Sequence, residues 1–295
     1  MDDPSTLKPA AVTAALLRSA LHKHRDRYES VFIKALGGVY LSIGGLLSEV
    51  VAGGSPGFTQ SNPGLIKVGS AAVFPVGLIM ISLTNTELLT SNMMIMPMGA
   101  IKGVIPWWSV FVNWLIVTFG NLVGSLFYAA ILVRYTAIVS VEPYRTYIRT
   151  FAIHKAGDPQ WHQIFLRGIG CNLLVCVAVW QGIAARETIS KIVAIWMPIW
   201  IFVALGYDHV VANMFSVPMG MMFGADLTVA EYIRKSFIAA YIGNIIGALF
   251  VGLPPLYFYL RKGENGLSDA ENGRTGSPVA GDASSDGTDS KVARN

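Results

Sequence analysis

The chain has 295 residues, 53% of them hydrophobic and 14% charged, with a formal net charge of +4 and a mean hydropathy of +0.51. A soluble domain carries about 25% charged residues, so this composition excludes that class and points to a membrane protein. No Cys-x-x-Cys, His-Glu-x-x-His, Walker-type or Gly-x-Ser-x-Gly pattern falls in a fitting context, so nothing in the sequence calls for an enzyme, a metal, a cofactor or a nucleic-acid partner.

Residues 1–31 form a cytoplasmic N-terminal segment. Its basic stretch from Ala10 to Tyr28 reads as an amphipathic helix lying on the inner membrane surface. The first apolar run lacks the length and flanks of a cleavable signal peptide. Residues 32–261 then hold six apolar stretches of membrane-crossing length, at about 32–52, 68–99, 107–133, 164–185, 189–223 and 235–260. The second and fifth are too long for a simple span and are interrupted midway by polar residues. Residues 262–295 turn to Gly, Ser, Asp and Asn and read as a disordered tail.

The two interruptions are copies of each other. Thr84–Met93, followed by Pro97-Met98-Gly99, aligns with Leu205–Met214, followed by Pro218-Met219-Gly220, at a constant offset of 121. Glu87 falls on Asp208, Asn92 on Asn213, and Leu88 on His209. A second pair, Phe119–Gly124 and Ile242–Gly247, repeats at an offset of 123 and sets Asn121 against Asn244. The membrane domain is therefore a duplication, with repeat one at about 32–133 and repeat two at about 164–260. Three crossings per copy make the second copy start on the opposite side, so the expected fold is all-α with an inverted 3+3 repeat and broken second and fifth helices. Irregular backbone inside a bilayer survives only where protein or a water-filled cavity covers it, so both breaks are expected to face one central path.

Ionisable residues at membrane depth mark permeation paths, and the group Asp208, His209 and Asn213 lies in the fifth span. Glu87 and Asp208 are each placed to cap the half-helix that follows, fixing the loop. Asn121, Asn213 and Asn244 carry both donor and acceptor and suit the support of broken backbone, with Asn213 also on the path. Gly120 and Gly124, and likewise Gly243 and Gly247, are spaced four apart, as close helix packing requires. Cys171 and Cys176 fall on different faces of the fourth span, which argues against a disulfide or a metal site.

With the N-terminus inside, 14 Lys and Arg fall on the inner side and 8 on the outer, which favours cytoplasmic termini. Five of the outer eight (Arg134, Arg145, Arg149, Lys155 and Arg167) cluster between the third and fourth spans. A basic mouth there would raise the local concentration of anions.

Several motifs, in order from about residue 30 to 261, resemble the formate/nitrite transporter family. They are Asn113-Trp114-Leu115 with Phe119–Gly124, Asn172–Cys176 with Ala178-Val179-Trp180, and Gly206–His209 with Ala212–Phe215 and Pro218-Met219-Gly220. The resemblance implies an aquaporin-like fold and a homopentamer in the plasma membrane with one pore per protomer. It implies an outer constriction at Phe74 and Phe202 with Asn172 nearby, and an inner one at Leu78, Leu88 and Leu89. It implies that His209 meets the substrate between them, with neutral hydrogen bonds from Asn172 and Thr90, and that Lys155 attracts the anion into a vestibule. Glu87 and Leu89 depart from bacterial formate channels, which carry Asp and Phe there.

Glu87 and the long C-terminal tail resemble the family's eukaryotic, fungal-like nitrite transporters, and the resemblance implies passage of nitrite, the anion of a weak acid, coupled to protons through His209, which either holds the anion or lends it a proton. Formate or another short monocarboxylate is the alternative substrate. A passive pore for neutral solutes is the alternative of another class.

Overall fold

The computed structural model describes residues 5–259, which are helical almost throughout; the predicted disordered tail lies outside the described residues. Helix α1 (Pro9–Arg25) opens with proline in its first turn and closes on His22, Lys23, His24 and Arg25, whose charge suits the negative end of a helix. The first span combines α2 (Tyr28–Ala35) and α3 (Gly38–Gly53). A short α4 (Pro56–Ser61) leads to the second, made of α5 (Pro63–Val73), α6 (Val76–Thr84) and, beyond a break, α7 (Leu89–Ile101). The third is α8 (Trp107–Phe127), continued to Tyr135 by a wider turn of helix. An amphipathic α9 (Tyr144–Ala152) precedes the fourth span, α10 (Trp161–Ala184). The fifth is split into α11 (Thr188–Ala204) and α12 (Val210–Met222). The last runs from α13 (Val229–Glu231) through a wide turn into α14 (Ile238–Tyr259).

The apolar pattern explains both the interior and the exterior. Leu88, Leu89, Met93, Met94, Met96 and Met98 are buried at the centre. By contrast, Phe111, Leu115, Phe119, Val123 and Phe127, spaced four apart along α8, are all exposed. Such an apolar stripe is at home against lipid or a neighbouring subunit, not against water. The span ends reach further than predicted: the first begins at Tyr28, the second at Pro63 and the last at Val229. Each extension carries polar or charged residues, which a window of pure apolarity discards but which helix ends tolerate.

The duplication extends to the backbone. Asn85 ends α6 at φ 54° and Gly206 follows α11 at φ 74°, 121 residues on. Gly103 and Gly224, after α7 and α12, share the same offset and the same left-handed conformation. A left-handed residue stops a helix, so both breaks are written into the chain at equivalent places. Close packing follows the paired glycines: a side chain on Gly124 would meet the Leu36 carbonyl, and one on Gly247 the Ile169 carbonyl.

One expectation changes. Val12, Leu16, Leu17 and Ala20, the apolar side of α1, are buried against the protein, with α7 as the main partner and α14 next. An amphipathic stripe alone does not distinguish a lipid surface from a protein surface. Here Ala20 sits so near Gly99 that a side chain at Gly99 would collide with it, which fixes α1 to the bundle instead of to a membrane surface.

Candidate functional site

The two breaks are held by the same three devices. In the first, the Asn121 side chain accepts from Leu89 N–H at 2.9 Å and donates to the carbonyls of Ala35 at 2.7 Å and Glu87 at 2.9 Å. In the second, Asn244 accepts from Val210 N–H at 2.9 Å and donates to Gly168 O at 2.8 Å and Asp208 O at 3.0 Å. Each amide thus satisfies one N–H and one carbonyl that the broken helix leaves over, and binds one carbonyl of a neighbouring span.

The second device is a lysine on each acid. Lys23 of α1 donates to both Glu87 oxygens at 2.6 Å. Lys155, just after α9, donates to the carbonyls of Gly206 at 3.0 Å and Tyr207 at 2.9 Å and to Asp208 Oδ1 at 3.2 Å. The third is the second asparagine. Asn92 donates to Glu87 at 2.7 Å and to Asn113 at 2.9 Å; Asn213 donates to Asp208 at 3.3 Å and to Ser236 at 3.4 Å.

These contacts correct the expected capping role of the acids. Neither Glu87 nor Asp208 caps its half-helix; the residues at the caps are Leu88 and His209. The acid lies one residue too early for its oxygens to reach the first free N–H groups, and a lysine from another helix takes them instead. A genuine acidic cap occurs at Glu187, which accepts from Ile189 N–H and Ser190 N–H and is held below the usual carboxylate range by those bonds.

His209 is the point of asymmetry. Its Nδ1 accepts from Ala212 N–H at 3.1 Å, which assigns the ring proton to Nε2. Nε2–H then donates to Thr90 Oγ1 at 2.9 Å, so the two breaks touch here. Phe202 stacks on the imidazole at 5.8 Å between centroids, and Phe74 meets Phe202 edge-on at 5.7 Å. All four side chains are buried.

Beside this group opens a vestibule of about 590 Å³ whose lining includes Phe74, Phe202, His209 and Asn213 together with the basic Lys67, Lys155 and Arg167. Of the five clustered basic residues, Lys155 and Arg167 line it, while Arg134 sits over the Phe223 ring and donates to Met222 O. Leu78, Leu88 and Leu89 are buried in the main core. Asn172 departs from its expected role as a donor: its amide donates to Thr90 O at 3.1 Å and Asn244 O at 2.8 Å. It ties the two breaks together, and its oxygen, an acceptor that an anion does not seek, receives the Cys176 Sγ–H at 3.7 Å.

Lys23 went unnoticed in the sequence, although a signal was there. Ala20-Leu21-His22-Lys23 with Asp26 repeats as Ala152-Ile153-His154-Lys155 with Asp158, at an offset of 132. The structure gives both copies the same place: Ala20 packs on Gly99 as Ala152 packs on Gly220. Helices α1 and α9 are therefore equivalent leading helices of the two repeats.

Residues 10–257 match the family described as formate/nitrite transporter. A probable formate transporter of Methanothermobacter thermautotrophicus is 38% identical over 248 residues, covering 79% of this chain and 89% of that protein. A formate channel of Bacillus thuringiensis is 34% identical over 264 residues, covering 88% of this chain and 98% of that protein. Among solved structures, a pentameric formate channel with formate bound is similar at a TM-score of 0.69 and 29% identity, covering 79% of this chain and 98% of its own. The family match over nearly the whole membrane domain, together with the six-span duplicated fold, establishes that this chain belongs to the formate/nitrite transporter family.

Proposed function

We propose that the chain conducts nitrite and formate across a membrane together with a proton, along a path from the vestibule past Phe74 and Phe202 to His209. The observation that carries this reading is a single buried imidazole whose Nε2–H is aimed at Thr90 beside a basic vestibule. An anion stripped of water among phenylalanines and leucines faces a penalty of several kcal/mol even after relaxation. Protonation removes most of it. Because Nδ1 holds the Ala212 N–H, an imidazolium would lose that cap; His209 therefore serves as a neutral hydrogen-bond donor to the anion, and the proton comes from vestibule water.

Thr90 offers a further neutral contact beside His209, while Asn213, expected on the path, lines the vestibule with its amide held by Asp208 and Ser236. Leu78, Leu88 and Leu89 form the second apolar collar, and Lys155 and Arg167 draw the anion in. Formate and nitrite each have three heavy atoms with one charge shared by two oxygens, so a site of this kind separates them by little, about 1–3 kcal/mol. The names of the relatives favour formate, whereas Glu87 and the long polar C-terminal stretch favour nitrite. A homopentamer in the plasma membrane with cytoplasmic termini completes the reading.

The test is uptake of nitrite and of formate into proteoliposomes of the purified protein, with and without an inward proton gradient, beside swelling in glycerol. Gradient-stimulated uptake of either anion without glycerol swelling is expected. Glycerol swelling without anion uptake would replace this reading with a neutral-solute pore.

A further inference from the structure

Three acids are buried among the described residues: Glu49, Glu87 and Asp208. Two of them hold a lysine. Glu49, on α3, is 4% exposed and lines the vestibule; neither of its oxygens meets hydrogen-bond geometry with a protein group, and the one side chain placed to bond it is the neutral Ser216 hydroxyl of α12. A carboxylate left buried without a charged partner is among the costliest arrangements in a protein, and a neutral carboxylic acid is far cheaper there. A neutral carboxyl also differs in kind from an ionised one, since it owns an O–H donor. Glu49 shares the vestibule wall with Phe74, so an anion bound for His209 passes it.

We infer that Glu49 is a protonated, specificity-determining donor in the vestibule: its O–H hydrogen-bonds the entering anion, and loss of its proton to water turns the same group into a repulsive charge that stops the anion. This rests on the anion-path reading above. The groups facing that space are Lys67 on α5, Tyr147 on α9 and Arg167 on α10. His154 and Lys155 follow α9, and Tyr207 and His209 belong to the second break. Lys155 and His154 are engaged elsewhere, with the Asp208 loop and with Asp158 at 2.5 Å. Neither is paired with Glu49.

The experiment compares wild type with Glu49→Gln and Glu49→Leu in proteoliposomes, reading nitrite and formate uptake against external pH. Glutamine keeps an N–H donor and never ionises. Its flux should match wild type at acid pH and exceed it by about tenfold at alkaline pH, the effect of removing one like charge a few ångströms from the path. Leucine should fold, since removing a buried acid that has no charged partner is not destabilising, but should lose flux at all pH values. Superimposable profiles of wild type and Glu49→Gln would overturn the inference. Infrared difference spectra on the detergent-purified protein give a second reading: a protonated-carboxyl band that shifts on adding nitrite and is absent in Glu49→Gln supports it, and no such band overturns it. If wild type carries neither anion, the transport reading falls, and the nitrite-induced band shift alone decides whether Glu49 meets an anion.

Discussion

The first and second breaks share a scaffold and differ at one chemical position. Both have a left-handed stop, an asparagine from the third span of the repeat, a leading-helix lysine and a paired acid and asparagine. At the residue that opens the half-helix, the first break has Leu88 and the second His209. The scaffold is what a bilayer demands of any broken helix, since unsatisfied backbone costs several kcal/mol per group in lipid. The histidine is what that demand does not explain. Duplicated features in such a chain therefore speak for architecture, and departures from the duplication speak for function.

Substitutions that strike both copies sharpen the comparison most strongly. Asn121→Ala and Asn244→Ala each orphan the free N–H and the free carbonyl of their break. At about 1–3 kcal/mol per group, each should cost on the order of 2–6 kcal/mol. Size-exclusion profiles of detergent extracts should show both variants failing to assemble; a tolerated Asn244→Ala beside a lethal Asn121→Ala would break the equivalence. Next come the lysines. Lys23→Met strands a buried Glu87 and should cost about 3–5 kcal/mol in thermal stability. Lys155→Met should cost less, because vestibule water can replace its bonds to the loop carbonyls.

Thr90→Val removes the hydroxyl opposite Nε2 and leaves the fold in place. Anion flux should fall about tenfold, the equivalent of one good hydrogen bond of about 1.4 kcal/mol, with a loss of stability of no more than about 1–3 kcal/mol from the orphaned Nε2–H. The smallest effect belongs to Asp26, whose contact with Lys34 at 2.6 Å holds its carboxyl below the usual range. A depressed folded value makes the stabilisation present above the unfolded carboxyl value of about 3.9, and it fades as pH falls through the folded one. Asp26→Asn should therefore cost no more than about 1 kcal/mol at neutral pH and nothing in strong acid, by melting temperature at the two pH values.

The sequence made the spans, the breaks and the pairing of Glu87 with Asp208 and Asn121 with Asn244 legible, because apolar length and a fixed offset are local properties. It hid Lys23, since the offset of the leading helices is 132 where that of the breaks is 121, and a search at one spacing passes over the other. It also suggested that the acids cap their half-helices, because a neighbour in sequence looks like a neighbour in space. The caps come instead from Asn121 and Asn244 on distant spans, and from His209 itself. Glu49 escaped notice for the opposite reason: a single acid in an apolar span has no pattern, and only its burial without a charged partner singles it out.

The most direct measurement of the central claim is anion uptake by His209→Leu, which makes the second break read like the first, in proteoliposomes matched to wild type for assembled protein. The scaffold bonds of Asn244, Lys155 and Asn213 remain, so the variant should assemble normally and lose uptake of both nitrite and formate. Wild-type uptake in a normally assembled His209→Leu protein would contradict the claim that the one departure from the duplication carries the chemistry.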